Sequence, residues 1–189
     1  MYVRSCKLKI ISNPQPGLGN LPPEYDEAGN MDAKAKQKTL RLLTNGIYVL
    51  TSRDGDRYGA ATVTWVSQVS FKPPLLMAAL RKDGSVLNCL LSSGSSVLHI
   101  VGSEQQEIAQ KFFSATKESA GFLNGEPFCE GKTFAPVLKN LKAYLECKLV
   151  KISEDYGDHA IAILEVVEAG NRGDVDPLVV DDSPWKYGG

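Results

Sequence analysis

The chain has 189 residues, enough for one domain with a full core, and its hydrophobic (43%) and charged (23%) fractions are typical of a soluble globular protein. A net charge of −1 excludes a global basic field, so neither nucleic acid nor an anionic membrane is an expected partner, and an anionic ligand has to be met by locally placed cations. No apolar run approaches the roughly 18 residues of a membrane span, and the start MYVRSCKLKII lacks a signal-peptide core and cleavage site. The expected location is the cytoplasm, with reduced thiols. The four cysteines (Cys6, Cys89, Cys129, Cys147) are not at metal-ligand spacing and there are only two histidines, His99 and His159, so no metal site is expected. Cys89 and Cys147 read as core residues.

Residues 1–31 read as an arm and residues 32–189 as one domain. Asn13-Pro14-Gln15-Pro16-Gly17 and Leu21-Pro22-Pro23 cannot continue a helix or a central strand. The arm either lies on the surface, across a partner subunit, or is a disordered tail. Asp32 can cap a helix through Leu43, with Leu40 and Leu43 on its apolar side and Gly46 after it. Residues 47–51 form a short strand, and Arg53-Asp54-Gly55-Asp56 a hairpin turn.

The strand returning from that turn enters the stretch the chain is organised around, YGAATVTWVSQVSFKPPLL, residues 58–76. Its β-branched residues Thr62, Val63, Thr64, Val66 and Val69 favour extended backbone. The small residues Gly59, Ala60 and Ala61 leave room for a flat ligand against the main chain. The hydroxyls of Thr62, Thr64, Ser67 and Ser70 can hydrogen-bond ring heteroatoms or phosphate oxygens. Pro73-Pro74 ends regular pairing. Two readings are open at this level: a strand and loop lining a ligand site, or a half-buried strand rich in Ser and Thr.

Residues 75–80 form a buried apolar strand. It ends at Arg81-Lys82-Asp83-Gly84-Ser85, where Asp83 or Ser85 caps a helix over 86–91. Two cations beside a helix N-terminus make a phosphate pocket; the alternative is a charged turn and a capped helix. Residues 96–101 alternate as a strand, with His99 a core or ligand-lining group without a catalytic role. Ser103-Glu104-Gln105-Gln106 fits a capping box opening a helix over 104–113. Residues 122–137 read as a long loop. A strand carrying Tyr144-Leu145-Glu146-Cys147 pairs with residues 159–167 across the turn Asp155-Tyr156-Gly157-Asp158, and residues 176–180 read as a final edge strand.

The chain lacks a Gly-x-Gly-x-x-Gly fingerprint, a strand-helix alternation, a legible nucleophilic triad and a carboxylate pair. So little acid-base equipment is consistent with chemistry carried by a bound cofactor, and no protein side chain is expected to be catalytic.

Ala61-Thr62-Val63-Thr64 and Val69-Ser70-Phe71-Lys72-Pro73-Pro74 resemble the signature of the flavin reductase-like, FMN-binding split-barrel family. Trp65-Val66-Ser67-Gln68 resembles the version in the flavin reductase module of flavodiiron-type flavoproteins. The likeness runs from about residue 38 to 187. It also takes in the basic-x-x-Ser segment Lys82–Ser85, the Leu-Glu-Cys context of Cys147, Gly157-Asp158-His159 and the terminal Trp185-Lys186-Tyr187-Gly188-Gly189. The resemblance implies a mainly β protein with flanking helices, a six-stranded antiparallel split β-barrel. It implies FMN (FAD being possible) as cofactor or bound substrate, NADH or NADPH as hydride donor, and a homodimer. On that basis Ala61, Thr62, Val63, Thr64, Trp65, Ser67, Gln68 and Ser70 are expected to contact the isoalloxazine and ribityl groups. Arg81, Lys82 and Ser85 are expected at the phosphate, and His159, Trp185 and Tyr187 on the nicotinamide side. Leu164 stands where the family has glycine, which bears on the space left for substrate. It favours the alternative of a flavoredoxin-like electron carrier served by a protein partner. A further alternative is a relative that holds another planar anion on the same barrel.

Overall fold

The computed structural model describes residues 31–155 and 157–185. The first 30 residues, and with them the expected arm, lie outside it. In chain order the elements are α1 (Ala33–Leu40), β1 (Tyr48–Asp54), β2 (Arg57–Val63), β3 (Val66–Ser70), β4 (Leu75–Arg81), α2 (Ser85–Ser93), β5 (Ser95–Ile100), α3 (Gln106–Lys111), β6 (Glu118–Ser119), β7 (Phe122–Leu123), β8 (Glu126–Glu130), β9 (Pro136–Leu138), β10 (Ala143–Ser153) and β11 (His159–Asn171). Short 3-10 turns occupy Ser103–Gln105 and Val180–Asp182.

Seven strands form one antiparallel sheet in the order β2-β1-β5-β10-β11-β4-β3. β2 and β3 follow one another in the chain, yet they are the two edges of this sheet. Only Thr64 and Trp65 separate them, and three Cα–Cα steps of ~3.8 Å hold Val63 and Val66 within about 11 Å. The sheet therefore curls until its edges nearly meet. The expected six-stranded barrel is thus a curled sheet of seven strands with a split. It stays open because the outer edge of β2 is already covered. Thr62 N–H donates to Phe112 O (3.3 Å), the Thr62 hydroxyl to Ala109 O (2.6 Å), and Ala60 N–H to the Thr116 hydroxyl (2.8 Å).

Inside the curl, alternate residues of the strands meet the apolar face of α2. Leu50, Leu76, Ala78, Leu80, Leu98, Cys147 and Leu164 pack with Val86, Leu87 and Leu90. A second core on the outer face joins Val49, Ala60, Phe112, Leu123 and Leu138. α2 lies so close to β2 that a Cβ at Gly59 would stand 2.5 Å from Ser85 O and Val86 Cα. Gly59 is thus required by helix–strand packing and not by a ligand.

Several elements differ from expectation. Asp32 does cap α1, its Oδ1 accepting from Lys34 N–H (2.7 Å) and Ala35 N–H (3.3 Å). The helix stops at Leu40, because Leu42 and Leu43 N–H turn to the i−3 carbonyls, and Leu40 and Leu43 are exposed. The helix expected over 104–113 is a 3-10 turn followed by α3. Gln105 and not Gln106 reaches back to Gly102 N–H (3.0 Å), while its amide donates to Asn140 O (2.8 Å). The expected loop over 122–137 holds β7, β8 and β9, part of a four-stranded sheet β6-β7-β8-β9. Its Gly and Pro residues mark hairpin turns; Asn124 and Gly125 take φ of 47° and 83° between β7 and β8. Instead of an edge strand, residues 176–180 make two isolated bridges, Gly102 to Pro177 and Gly46 to Val179. The β1–β2 and β10–β11 hairpins are where the sequence puts them.

Candidate active site at the split

The split forms a cleft of about 90 Å3. Ala61, Thr62, Val63, Thr64 and Trp65 line it from the end of β2 and the crossover. Ala79, Leu80 and Arg81 line it from β4, Gly84 and Val86 from the start of α2, and His159 from β11. Two residues of crossover force the main chain across the mouth, which is why a continuous run of five residues faces the cleft.

Thr64 stands out among them. It is only 8% exposed, and its hydroxyl oxygen has no hydrogen-bond partner. A buried hydroxyl without a partner costs ~1–3 kcal/mol, so Thr64 is an unsatisfied polar residue in the cleft lining. The Thr62 hydroxyl, by contrast, is committed to Ala109 O.

His159 lies opposite Arg81 in the β11–β4 register, with its ring centroid 4.8 Å from that of Trp65 and the planes tilted by 54°. Its side chain is 16% exposed, and Nδ1 is 2.7 Å from Asp158 Oδ1. A carboxylate only accepts, so Nδ1 carries the proton and Nε2 is left for another partner. That hydrogen bond holds the Asp158 carboxyl below the usual range. Arg81 makes a forked pair with Asp83 (2.9 and 2.7 Å), which lowers the Asp83 carboxyl in the same way.

Other expected residues sit elsewhere. The Lys82 ammonium donates to the carbonyls of Glu154 and of Gly157 (2.8 Å for the latter), tying β4 to the β10–β11 turn rather than lining the cleft. Ser67, Gln68 and Ser70 lie on edge strand β3, outside the cleft lining. The Ser67 hydroxyl donates to Gln68 O (3.3 Å) and the Gln68 amide to Ser70 O (3.2 Å). Ser85 is at the rim, between the lining residues Gly84 and Val86, and its hydroxyl is 3.0 Å from that of Thr116. Trp185 packs edge-on to Phe113 with centroids 4.8 Å apart, against the outer core and not in the cleft. Tyr187 lies outside the described residues. Leu164 is fully buried between Leu149 and Leu76 in the inner core, so it takes no space from a ligand. Ala79, Leu80, Gly84 and Val86 line the cleft without having been expected there, and Asp158 holds His159 from just outside it. The Gly-Asp-His motif pointed at Asp158, whereas nothing local distinguishes the apolar lining residues.

A larger cleft, about 350 Å3, separates the β8–β9 hairpin from β10 and β11. Much of its lining is engaged: Glu130 pairs with Arg53, and Arg172 lies over the Tyr144 ring and donates to Lys139 O (3.1 Å). Buried Glu146 accepts from Lys132 N–H (3.1 Å), Thr133 N–H (2.8 Å) and the Thr133 hydroxyl (2.8 Å), while Lys132 pairs with Glu168. These contacts fix the hairpin against β10 and β11.

The split of the curled antiparallel sheet thus brings together residues 61–65, an unpartnered threonine hydroxyl and the start of α2. The flavin reductase-like domain matches residues 40–187, and the chain belongs to that family. It is 31% identical over 131 residues to FMN reductase (NADH) RutF of Pseudomonas syringae pv. syringae (strain B728a), covering 69% of this chain and 72% of that protein. It is 29% identical to diflavin flavoprotein A 1 of Synechocystis sp. (strain ATCC 27184 / PCC 6803 / Kazusa) over 69% of this chain, but spans only 23% of that longer protein. Among solved structures it resembles BorF, the flavin reductase component of a bacterial two-component tryptophan halogenase. The TM-score is 0.62 and the identity 26%, covering 72% of this chain and 86% of that one.

Proposed function

We propose that the chain is a flavin reductase that takes hydride from NADH and binds FMN in the split. The observation that carries this reading is the unpartnered Thr64 hydroxyl within the cleft-lining run 61–65. Bound flavin would supply the redox chemistry, accepting the hydride that the nicotinamide gives up. The protein's own residues hold, orient and shield. Thr64 and the main chain of 61–65 take the ring's polar edge, and Ala61, Val63 and Leu80 exclude water beside it. The rim of α2, with Arg81, meets the phosphate. His159, its proton held on Nδ1 by Asp158 and its ring against Trp65, borders the nicotinamide and positions it without moving a proton.

A cleft of about 90 Å3 is smaller than the ~300 Å3 or more of pockets that bury whole cofactors. A second copy of the chain would complete the wall, and exposed Trp65, Val69 and Phe71 beside the split are the apolar surface such a pairing would cover. Free thiols at Cys89, Cys129 and Cys147 favour a cytoplasmic setting, and no helix among the described residues is long and apolar enough to cross a membrane. BorF, to which the chain is similar, is the flavin reductase component of a two-component halogenase, and by that likeness a protein acceptor of the electrons is part of this reading. The electron-carrier alternative leaned on Leu164, which sits in the core, so no residue now favours it.

Anaerobic titration of the FMN-reconstituted protein with NADH and with NADPH, followed at the oxidised flavin band, tests the proposal. Rapid bleaching by NADH is expected. Retained flavin that bleaches only with dithionite would replace the reductase with a carrier.

A further inference from the structure

We infer that Thr116 is a positioning residue for the phosphate of the flavin, acting through Ser85; the inference rests on the flavin reading of the cleft. Thr116 lies in the segment that follows α3, far in sequence from the split, and its single hydroxyl joins three groups. It accepts from Ala60 N–H (2.8 Å), faces Ala60 O (3.0 Å) and faces the Ser85 hydroxyl (3.0 Å). It thereby acts as a strand partner for β2 and, at the same point, ties β2 to the first residue of α2.

That first turn is open to an anion. The residue before it, Gly84, has no side chain to cap the helix, and the turn holds no acidic residue. Asp83, next to it, is occupied by Arg81. Gly84 and Val86 line the same cleft as Thr64, whose buried hydroxyl lacks a partner. The open helix start and the unsatisfied hydroxyl are independent signs of one ligand.

Proton counting gives the role. Thr116 has one proton, and it goes either to Ala60 O or to Ser85. While Thr116 donates to Ala60 O, Ser85 must donate to Thr116, and only lone pairs of Ser85 remain for a further partner. A phosphate oxygen repels that arrangement. When phosphate arrives, the Ser85 proton turns to it and the Thr116 proton turns from Ala60 O to Ser85. No proton is gained or lost, and no bond is made beyond hydrogen bonds. Ala60 N–H stays bound to Thr116 throughout, so the β2 edge is kept while the helix rim becomes a donor.

The test compares dissociation constants for FMN and riboflavin, which differ in the phosphate, by flavin fluorescence with the full chain. In Thr116→Val the FMN constant should rise about tenfold, the loss of one charge-assisted hydrogen bond, with riboflavin unchanged. Thr116→Ser should restore FMN binding. Ser85→Ala should give the same loss, and the double variant no more than either single one, because the two hydroxyls act as a unit. Equal losses for FMN and riboflavin in Thr116→Val, or additive losses in the double variant, would overturn the role. Thermal unfolding of each variant separates these results from misfolding, and Ser85→Ala, on the exposed rim, carries the test if Thr116→Val does not fold. Wild-type protein that binds FMN no better than riboflavin would overturn the phosphate reading itself, before any variant is compared.

Discussion

At the scale of single residues, Thr64 and Thr62 illustrate what a sequence can and cannot carry. Both are hydroxyls in one Ala-Thr-Val-Thr run, yet one is spent on Ala109 O, 47 positions away, and the other is buried without a partner. Thr64→Val replaces the unsatisfied hydroxyl with a methyl of similar volume. Without flavin the variant should be about 1 kcal/mol more stable than the parent, because a buried unpaired group has been removed. Its flavin affinity should fall about tenfold, the equivalent of one hydrogen bond. Thermal unfolding of the flavin-free protein and a flavin titration of the same variant read the two signs. That residues 61–65 are a candidate site was legible because small and β-branched residues alternate with hydroxyls there, and the structure lines a cleft with them. Which hydroxyl is left unpaired was not, since α3 decides that. Leu164 shows the converse: only the register opposite Leu76 and Leu149 reveals that it points into the core. Thiol reactivity follows the same logic. Burial pushes the Cys147 thiol up to about 12 and raises that of Cys89, whereas Cys129 is exposed. Alkylation of the native protein with peptide mapping should label Cys129 and spare the other two until the chain is unfolded.

At the scale of elements, the split is held open by how α2 and α3 meet β2. Gly59 lets the helix backbone approach the strand. In Gly59→Ala the new Cβ would meet backbone atoms at 2.5 Å, which no side-chain rotation relieves. The helix must move away, at a cost on the order of 1–3 kcal/mol. Because the start of α2 is the rim of the cleft, flavin binding should weaken with it. Urea unfolding and flavin titration of the variant check both, and an unperturbed titration would detach α2 from the site. The hairpins were legible because turn chemistry and alternation agree locally: Asp54-Gly55 between β1 and β2, Gly157-Asp158 before β11. The small sheet was not, because its strands are two to five residues long and its turn signals outweigh its alternation. α1 was legible in its Asp32 cap and not in its exposed leucines, since amphipathic spacing states which face is apolar but not that something covers it.

At the scale of the whole molecule, the curled sheet and the small sheet are joined through a polar core residue. His99 of β5 is fully buried; its Nδ1 lies 3.0 Å from Val49 O on β1, and its Nε2 accepts from Leu138 N–H on β9 (2.9 Å). Both contacts are satisfied only by the neutral ring with its proton on Nδ1, since a proton on Nε2 would face the Leu138 N–H. Burial, partly countered by the Val49 hydrogen bond, lowers the pKa from 6.5 to about 4. A base whose pKa is depressed by folding binds its proton more readily when unfolded. Its stabilisation is therefore complete above pH 6.5, declines as pH falls, and is exhausted near pH 4. A gap of this size corresponds to roughly 3 kcal/mol across that window. His99→Ala should cost ~2–4 kcal/mol at pH 7, from the cavity and the two backbone groups it orphans, and it should lack this part of the pH dependence. The measurement is the urea midpoint of both proteins at steps from pH 7 to pH 4. The difference between the two curves isolates His99 from the carboxylates, which titrate in both. A difference that narrows as pH falls shows that the imidazole is held neutral between the sheets; a constant difference would mean that His99 contributes by packing alone.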